Sequence, residues 1–461
     1  MKHEHPIKIL RYCALNLWML LFPLLRSLSL FPFSPEAFVL WLKGAWMDIM
    51  VMLFIFSHAF LKWFRCRFCV DEKCFTAVSG ILFQSRISIP FEKITAVAVS
   101  AIETTFLLKL LLFRIDTRAA GSVNIPTLWL RKKDFEELSD KMPLCKENSS
   151  SAFTYRINLW RVLVYSFLFS SSLSGTLYIA AFFIEAGNAA GKILSELHIT
   201  EALSEMSSAA ASVFRAVPEI IILILIVLLF CRILSFVINL LRCAGFRTLI
   251  DPSVIRISSG FFPRRKTSIY LSSSECTIIK QGLLSRAFKR ASMFITYSSS
   301  TKGRNKNTLL VPVLSEDAPI NALFSGFEKN RSIANPYSLW SFIWQPLTII
   351  GVILGFLFII SYEKYYACEI LFPLSGIVLV PAAALLLTRL ITFRSQFTAW
   401  DNKKISICCS KGISFFTVVT KKESIALVKT VQTPMARKKG FCNAAIYIKG
   451  GLKVMIRGQA K

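Results

Sequence analysis

The side chains that could carry out chemistry are few and widely separated. Cys66-x-x-Cys69 and the nearby Cys74 have a spacing that only loosely matches a metal site, since no second cysteine pair or histidine cluster completes the ligand set. His198 and Glu201 are typical of a solvated surface pair rather than an acid–base couple. No P-loop, G-x-S-x-G or H-E-x-x-H string occurs. The sequence therefore predicts no catalytic residues, no metal site and no cofactor.

One acidic residue, Asp48, lies inside an apolar stretch of the sequence. An ionisable group at the depth of a bilayer is a functional-site hypothesis by default, because a charge there is costly and is retained for a reason. The simpler interpretation is that Asp48 pairs with another helix of a bundle. The sequence leaves both interpretations open.

Positive charge is the most prominent chemical feature of the chain. There are 55 Lys and Arg against 27 Asp and Glu, a formal net charge of +28. Basic residues near an anionic membrane surface each gain about 1 kcal/mol. The candidates for binding a lipid headgroup or another anion are Arg264, Arg265, Lys266, Arg286, Lys289, Arg290, Arg437, Lys438 and Lys439.

Membrane topology alone also produces positive charge of this kind. The positive-inside rule places Lys and Arg in cytoplasmic segments without any ligand, and it accounts for much of the pattern. Nucleic acid is not predicted as a partner, because no aromatic-interleaved basic platform or helix-turn-helix is present.

Besides its positive charge, the sequence contains six long apolar stretches. The sequence is 54% hydrophobic, and a helix that spans a bilayer needs about 20 mostly apolar residues. Six transmembrane helices are therefore predicted, at about 9–30, 37–61, 159–184, 217–241, 342–362 and 370–391. The spacing of Gly351 and Gly355 would let a neighbouring helix approach closely, first within the chain and second in an oligomer.

Lys and Arg follow the second helix of each predicted pair, whereas the connections within the pairs are neutral or acidic. This asymmetry places both termini and the three basic regions in the cytoplasm. The net charge of these regions rises along the chain. Residues 62–146 hold 14 Lys and Arg against 9 acidic residues (+5), 242–331 hold 15 against 5 (+10), and 389–461 hold 15 against 2 (+13).

The basic regions share one local pattern. Each has a turn-forming aspartate, a β-like alternation of side chains, a glycine and a second β-like run. The aspartates are Asp71, Asp251 and Asp401, and the glycines are Gly80, Gly260 and Gly412. A glycine at a strand junction supplies a conformation that a Cβ would hinder.

Further strands and a closing helix are predicted after this pattern. The strands are 95–99, 113–117 and 294–297, and the closing helices lie at 134–141 and 315–324. The third region lacks an evident closing helix, so we expect it either to be incomplete or to close its barrel against another copy. The chain thus repeats a helix pair followed by a β-rich domain three times.

Strands, a glycine-marked hairpin and a closing helix resemble a pleckstrin-homology (PH) barrel. The run from Gly80 to Ile94, with Arg86 and Pro90, resembles the bacterial PH domain of the second class, although Tyr270 replaces this proline in the second copy. The threefold tiling looks like the YdbT family of bacterial membrane proteins. This resemblance implies a multi-pass protein of the bacterial inner membrane with PH-like partly open barrels. In eukaryotic PH domains the first hairpin loop binds inositol phosphates, and Arg264–Lys266 occupy the matching position.

The predicted organisation alternates membrane and cytoplasmic parts. The helix pairs are 1–61, 157–241 and 340–392, and the PH-like domains are 62–146, 242–331 and 393–461, the last without its closing helix.

The function predicted from these features is a non-enzymatic inner-membrane scaffold. Its cytoplasmic domains would bind the anionic inner leaflet or protein partners, including further copies of the chain, and the resemblance suggests a role in envelope stress or resistance. The alternative is a transporter or channel component that uses the six-helix bundle. A polar cavity enclosed by the helices would favour transport, whereas three separate hairpins would favour a scaffold.

Overall fold

The structure of this chain is a computed structural model that describes the following residues: 2–15, 46–71, 73–81, 84–101, 110–117, 127–142, 144, 153–169, 219–261, 264–297, 306–314, 331–333, 338–362, 368–401, 403–432, 434–449 and 452–460. His198, Glu201 and the predicted closing helix at 315–324 lie outside them.

Nine α-helices lie in the described ranges. They are α1 (Lys8–Leu15), α2 (Trp46–Arg65), α3 (Lys132–Lys141), α4 (Leu159–Phe169), α5 (Glu219–Cys243), α6 (Leu283–Ala287), α7 (Leu339–Tyr362), α8 (Cys368–Ser395) and α9 (Pro434–Lys438).

The strands fall into three groups of seven, one for each unit of the chain. Those of the first unit are β1 (Lys2–His3), β2 (Arg67–Val70), β3 (Cys74–Ser79), β4 (Ser85–Pro90), β5 (Ile94–Ala101), β6 (Leu110–Thr117) and β7 (Leu128–Arg131). Those of the second are β8 (Phe153–Arg156), β9 (Arg247–Ile250), β10 (Val254–Ser259), β11 (Arg265–Tyr270), β12 (Ser274–Gly282), β13 (Ala291–Tyr297) and β14 (Lys306–Leu314). Those of the third are β15 (Arg331–Ile333), β16 (Phe397–Trp400), β17 (Lys404–Lys411), β18 (Ser414–Lys421), β19 (Ile425–Val431), β20 (Phe441–Ile448) and β21 (Leu452–Ala460).

Each helix pair is inserted between two neighbouring strands of its unit. The short strand before the pair is antiparallel to the first strand after it: β1 with β2, β8 with β9 and β15 with β16. The helices pack mainly within their pairs, α1 with α2, α4 with α5 and α7 with α8. Both ends of every helix pair are therefore fixed to the same sheet.

The predicted aspartate and glycine positions recur in the structure. The amide of Asp71 donates to the carbonyl of Cys74 at 3.0 Å, and Asp251 and Asp401 form the same turn with Val254 and Lys404. Gly80, Gly260 and Gly412 all have positive φ (121°, 92° and 61°). A left-handed conformation strains most L-residues, which explains why glycine occurs at each hairpin. The predicted strands 95–99, 113–117 and 294–297 lie in β5, β6 and β13.

The units are joined by shared sheets. One seven-stranded sheet has the order β7-β6-β5-β11-β10-β9-β8, and a second has the order β14-β13-β12-β18-β17-β16-β15. The first seam, between β5 and β11, joins the first unit to the second. The second seam, between β12 and β18, joins the second unit to the third.

Three hydrophobic cores match the three units, and the later two borrow residues across the seams. The first core contains Phe75, Phe113 and Leu138 of the first unit. The second core includes Ala96 from β5 of the first unit. The third includes Cys276 and Ile278 from β12 of the second unit. Each seam therefore carries apolar packing as well as a strand ladder.

Two described helices are long and apolar enough to cross a membrane, within Ile226–Cys243 and Leu339–Ile359. This is fewer than the six predicted. Helix α2 carries Asp48, Lys62 and Arg65, and the described part of α4 is 11 residues long. Residues 16–45 and 170–218, which contain most of the first and third predicted spans, lie outside the described residues. The structure thus supports β-rich units with some membrane-compatible helices, and the count of six stays a prediction.

The ends of the first and third units differ. In the first unit α3 (Lys132–Lys141) closes the domain as predicted, and Leu138 enters the core. In the third unit the last strand, β21, extends to Ala460. Helix α7 packs against this strand. Gly458 permits this contact, because a Cβ there would overlap the side chain of Ser338.

Candidate functional site

The glycine hairpin of each unit lies against the end of its second helix. Arg65 Nη1 donates to the carbonyl of Ile81 at 2.9 Å. The amide of Phe261 donates to Leu241 O at 3.0 Å, and Arg389 Nη1 donates to Ser410 O at 3.1 Å. These helix-end hairpins, 80–81, 260–261 and 412–413, are thereby held close to the ends of their helices.

The helix-end hairpins of the second and third units carry exposed apolar side chains. Phe261 is 77% exposed, and Ile413 is also exposed. The pairing of Gly282 with Ser414 places the start of α6 beside the 412–413 hairpin. Leu284 of this short helix and Phe288, which directly follows it, are exposed as well. Exposed apolar side chains at a helix end are typical of a surface that meets a membrane or a partner.

Arg264, Arg265 and Lys266 follow the 260–261 hairpin directly, and all three are exposed. Arg265 and Lys266 lie in β11, opposite Ser100 and Val99 of the first unit. The structure therefore places this predicted basic cluster at the first seam, beside Phe261. We call Phe261, Arg264, Arg265 and Lys266 the seam surface.

Arg286, Lys289 and Arg290 are grouped around α6. The guanidinium of Arg286 lies 4.4 Å from the ring centre of Phe415 in β18, so the half-buried Arg286 contributes to the second seam. Lys289 is exposed and has a positive φ of 50°. Arg437, Lys438 and Lys439 lie on or just after α9, the corresponding element of the third unit, and are exposed.

Three of the predicted site residues, Asp48, Gly351 and Gly355, lie on the long helices. Asp48 lies on α2, but its side chain is outside the described part of the chain. Gly351 and Gly355 lie on α7, and a Cβ at either would meet no described atom within 4 Å. The expected close packing of another helix at these glycines is therefore not observed among the described residues. Contact with a second chain at this position stays a prediction.

A buried polar cluster at the start of the first unit was not predicted. The ammonium of Lys8 contacts the carboxylate of Glu4 and donates to Thr127 O at 2.9 Å. Trp63 Nε1 donates to Glu4 O at 2.9 Å, and Cys66 Sγ donates to Glu4 Oε1 at 3.1 Å. The cluster fixes the start of the chain to the end of α2.

Cys66 is consequently a structural residue. Burial raises the pKa of its thiol to about 12, and the nearby Glu4 carboxylate acts in the same direction. Across the described ranges, no three His, Cys, Asp or Glu side chains form a group that could hold a metal ion.

Carboxylates also connect the units, the buried Asp116 at the first seam and the half-buried Glu275 at the second. Tyr297 Oη of the second unit donates to Asp116 Oδ2 of the first at 3.3 Å, and Arg114 Nε donates to Asp116 Oδ1 at 3.2 Å. Burial raises the pKa of Tyr297, so its hydroxyl keeps the proton that it donates. Between the second and third units, Ser424 Oγ donates to Glu275 Oε2 at 2.6 Å.

Most of these features give only faint signals in the sequence. The apolar residue after each hairpin glycine is visible in the repeat as Ile81, Phe261 and Ile413. The polar groups of Glu4, Asp116 and Glu275 give no such signal, because their partners lie far away along the chain.

The family described as "Bacterial PH domain" matches residues 31–142. This range contains β2–β7 and α3 of the first unit, the copy whose local pattern fits best. The prediction of a PH-like domain there is confirmed. Comparison of the whole chain with curated proteins finds no match.

Proposed function

We propose that this protein is a non-enzymatic membrane scaffold whose three PH-like units face the cytoplasm of a bacterial cell and contact the anionic inner leaflet. The proposal extends the family match from the first unit to all three, on the strength of their common strand order and turns. It includes the resemblance to the YdbT family, a multi-pass location in the inner membrane and six spanning helices.

The seam surface carries this proposal. The exposed Phe261 lies next to three exposed basic side chains at the end of α5. This helix contains Ile226–Cys243, one of the two apolar segments long enough to cross a membrane. The aromatic ring suits the boundary of headgroups and acyl chains, and the cations suit phosphate groups. Lys289, Leu284 and Phe288 repeat this combination beside the hairpin of the third unit.

The packing of the helices supports a scaffold as well. Within each helix pair the two helices pack mainly against each other, while the three units are connected through their sheets. A protein built in this way displays a row of β-rich units along the membrane. Its role would be to hold lipid or protein partners in place, including in the response to envelope stress.

We expect the triple variant R264Q/R265Q/K266Q to lose its preference for anionic lipid. Three basic residues at about 1 kcal/mol each correspond to a preference of roughly 100-fold. The full chain is reconstituted with photoactivatable phosphatidylglycerol or photoactivatable phosphatidylcholine, and crosslinked peptides are quantified by mass spectrometry. In the wild type, peptides spanning 260–266 should crosslink more to phosphatidylglycerol than to phosphatidylcholine. In the variant, these peptides should crosslink to the two lipids equally.

The matched control is K403Q/K421Q/K422Q, which also removes three positive charges from exposed positions. These positions lie in the third unit, at the end of the β17–β18 hairpin that is far from residues 412–413. It should keep the crosslinks at 260–266. Equal crosslinking of both lipids in the wild type, or an equal loss in the control, would show that the seam surface does not bind anionic lipid.

A further inference from the structure

Two strand edges are left at opposite ends of the row of units. In the part of the chain that the structure describes, β4 is the last strand of the order β1-β2-β3-β4, and β19 is the first of the order β19-β20-β21. β4 corresponds to β11 and β18, since all three directly precede a 3-10 turn (91–93, 271–273 or 422–424). β19 corresponds to β5 and β12, which directly follow these turns. The two edge strands are thus of the kinds that pair at the seams.

The two seams use the same register. In the first seam Ile269 is opposite Ala96, and in the second Thr420 is opposite Cys276. Ile269 and Thr420 each lie two residues before the 3-10 turn, and Ala96 and Cys276 each lie three residues after it. In β5 and β12 the register of strand pairing also shifts just before Ala96 and Cys276. In β19 the register shifts at the equivalent place, between Ile425 and Leu427. The chain therefore makes one defined contact twice.

The third unit presents the same contact surface uncovered. Leu427 occupies the position of Ala96 and Cys276, which enter the core of the next unit. Its side chain is 57% exposed, and Val428 and Val431 are 50% and 53% exposed. On the other edge, Ser85, Arg86 and Ser88 of β4 are exposed. A long apolar edge strand is a template for pairing with another chain.

We propose that β19 of one chain pairs with β4 of a second copy, in the register of the two internal seams. Leu427 then lies opposite Ile89, and Val428 lies opposite Ser88. The third unit of one chain would then pair with the first unit of the next copy in the same way that the first unit pairs with the second unit within a chain. Leu427 would join the first core of that copy, which borrows no residue from a preceding unit.

A contact between two different surfaces is heterologous, so it propagates. The copies form a closed ring if the rotation between units closes, and a filament along the membrane if it does not. The graded charge favours this arrangement, because the most basic unit (+13) meets the least basic unit (+5) rather than its own kind. The inference does not depend on lipid binding by the seam surface.

Cysteine crosslinking tests the proposal. One full chain carries Ser88→Cys and another, differently tagged, carries Val428→Cys, and both are expressed together in membranes. Mild oxidation should join the two tags in a species of twice the chain mass. The double variant S88C/V428C should form a ladder of higher multiples. Either single variant expressed alone should stay at the level of the wild type.

Matched controls fix the meaning of each result. Val97→Cys with Ser268→Cys is the equivalent pair at the first seam and should crosslink within one chain. Lys403→Cys, an exposed position that lies outside β19 and does not pair with it, should not crosslink to Ser88→Cys. A crosslink of S88C/V428C within a single chain, or no crosslink while the Val97–Ser268 control succeeds, overturns the proposal. The exposed-site variant Leu427→Lys should abolish the ladder, and a retained ladder would also overturn it.

Discussion

Replacing Glu4 with Gln is expected to lower the free energy of unfolding of the first unit by about 3–5 kcal/mol, because it leaves the buried ammonium of Lys8 without its counter-charge. Both side chains are almost fully buried. The carboxylate of Glu4 also accepts a hydrogen bond from the thiol of Cys66. The loss can be measured by hydrogen–deuterium exchange of the β1, β2 and β3 amides in the full chain.

A double variant separates the ion pair from general damage. In E4M/K8M both charged side chains are replaced by apolar ones, so much of the stability should return, since a buried ion pair replaced by apolar groups is often close to neutral. Glu137→Gln removes an exposed partner of Lys2 and should leave exchange unchanged. If E4Q and E137Q behave alike, the buried pair does not stabilise the start of the chain.

Replacing Gly458 with Ala is expected to destabilise the third unit by about 2–5 kcal/mol, the combined cost of a left-handed alanine and an overpacked contact. Gly458 has a φ of 63°, and an added Cβ would overlap Oγ of Ser338. Its amide donates to Asn443 Oδ1 at 2.9 Å, so a shift of β21 also disturbs that bond. Exchange protection of the β20 and β21 amides should fall, together with the thermal unfolding temperature in detergent.

Gly412 provides the matched control. Its φ of 61° is nearly the same, but an added Cβ would meet no described atom within 4 Å. Gly412→Ala should therefore cost only about 1–2 kcal/mol, the conformational term alone. Equal effects of the two substitutions would mean that the overlap with Ser338, just before α7, adds no cost of its own.

Local patterns in the sequence predicted much of the strand structure. Alternating residues, turn-forming aspartates and hairpin glycines act over a few residues, so β3, β10 and β17 could be recognised with their turns. Helix α3 was predicted for the same reason. The match of the first unit to the bacterial PH domain agrees with this, because that copy keeps the clearest local pattern.

Long-range pairing could not be predicted in this way. β1, β8 and β15 are short, and each pairs with a strand on the far side of a helix pair, so no local signal marks them. The seams join strands of different units, so a pattern within one unit does not indicate them. The sequence identified Arg264, Arg265 and Lys266 as a cluster, but only the structure places Phe261 and the end of α5 beside them. The sequence names Arg286 as a candidate for binding an anion, but only the structure shows that its guanidinium also lies over Phe415 of β18.

The insertion of each helix pair within a sheet has a consequence for the order of folding. The strand before a pair leaves the ribosome first, but its partner follows only after both helices have been made, so the sheet closes late and over a long loop. The shared sheets extend this dependence, because β5 gains its neighbour β11 only when the second unit is synthesised. Folding therefore advances from the first unit to the last in step with the placement of the helices. A helix pair that is misplaced would leave its own unit, and the unit before it, with an open sheet.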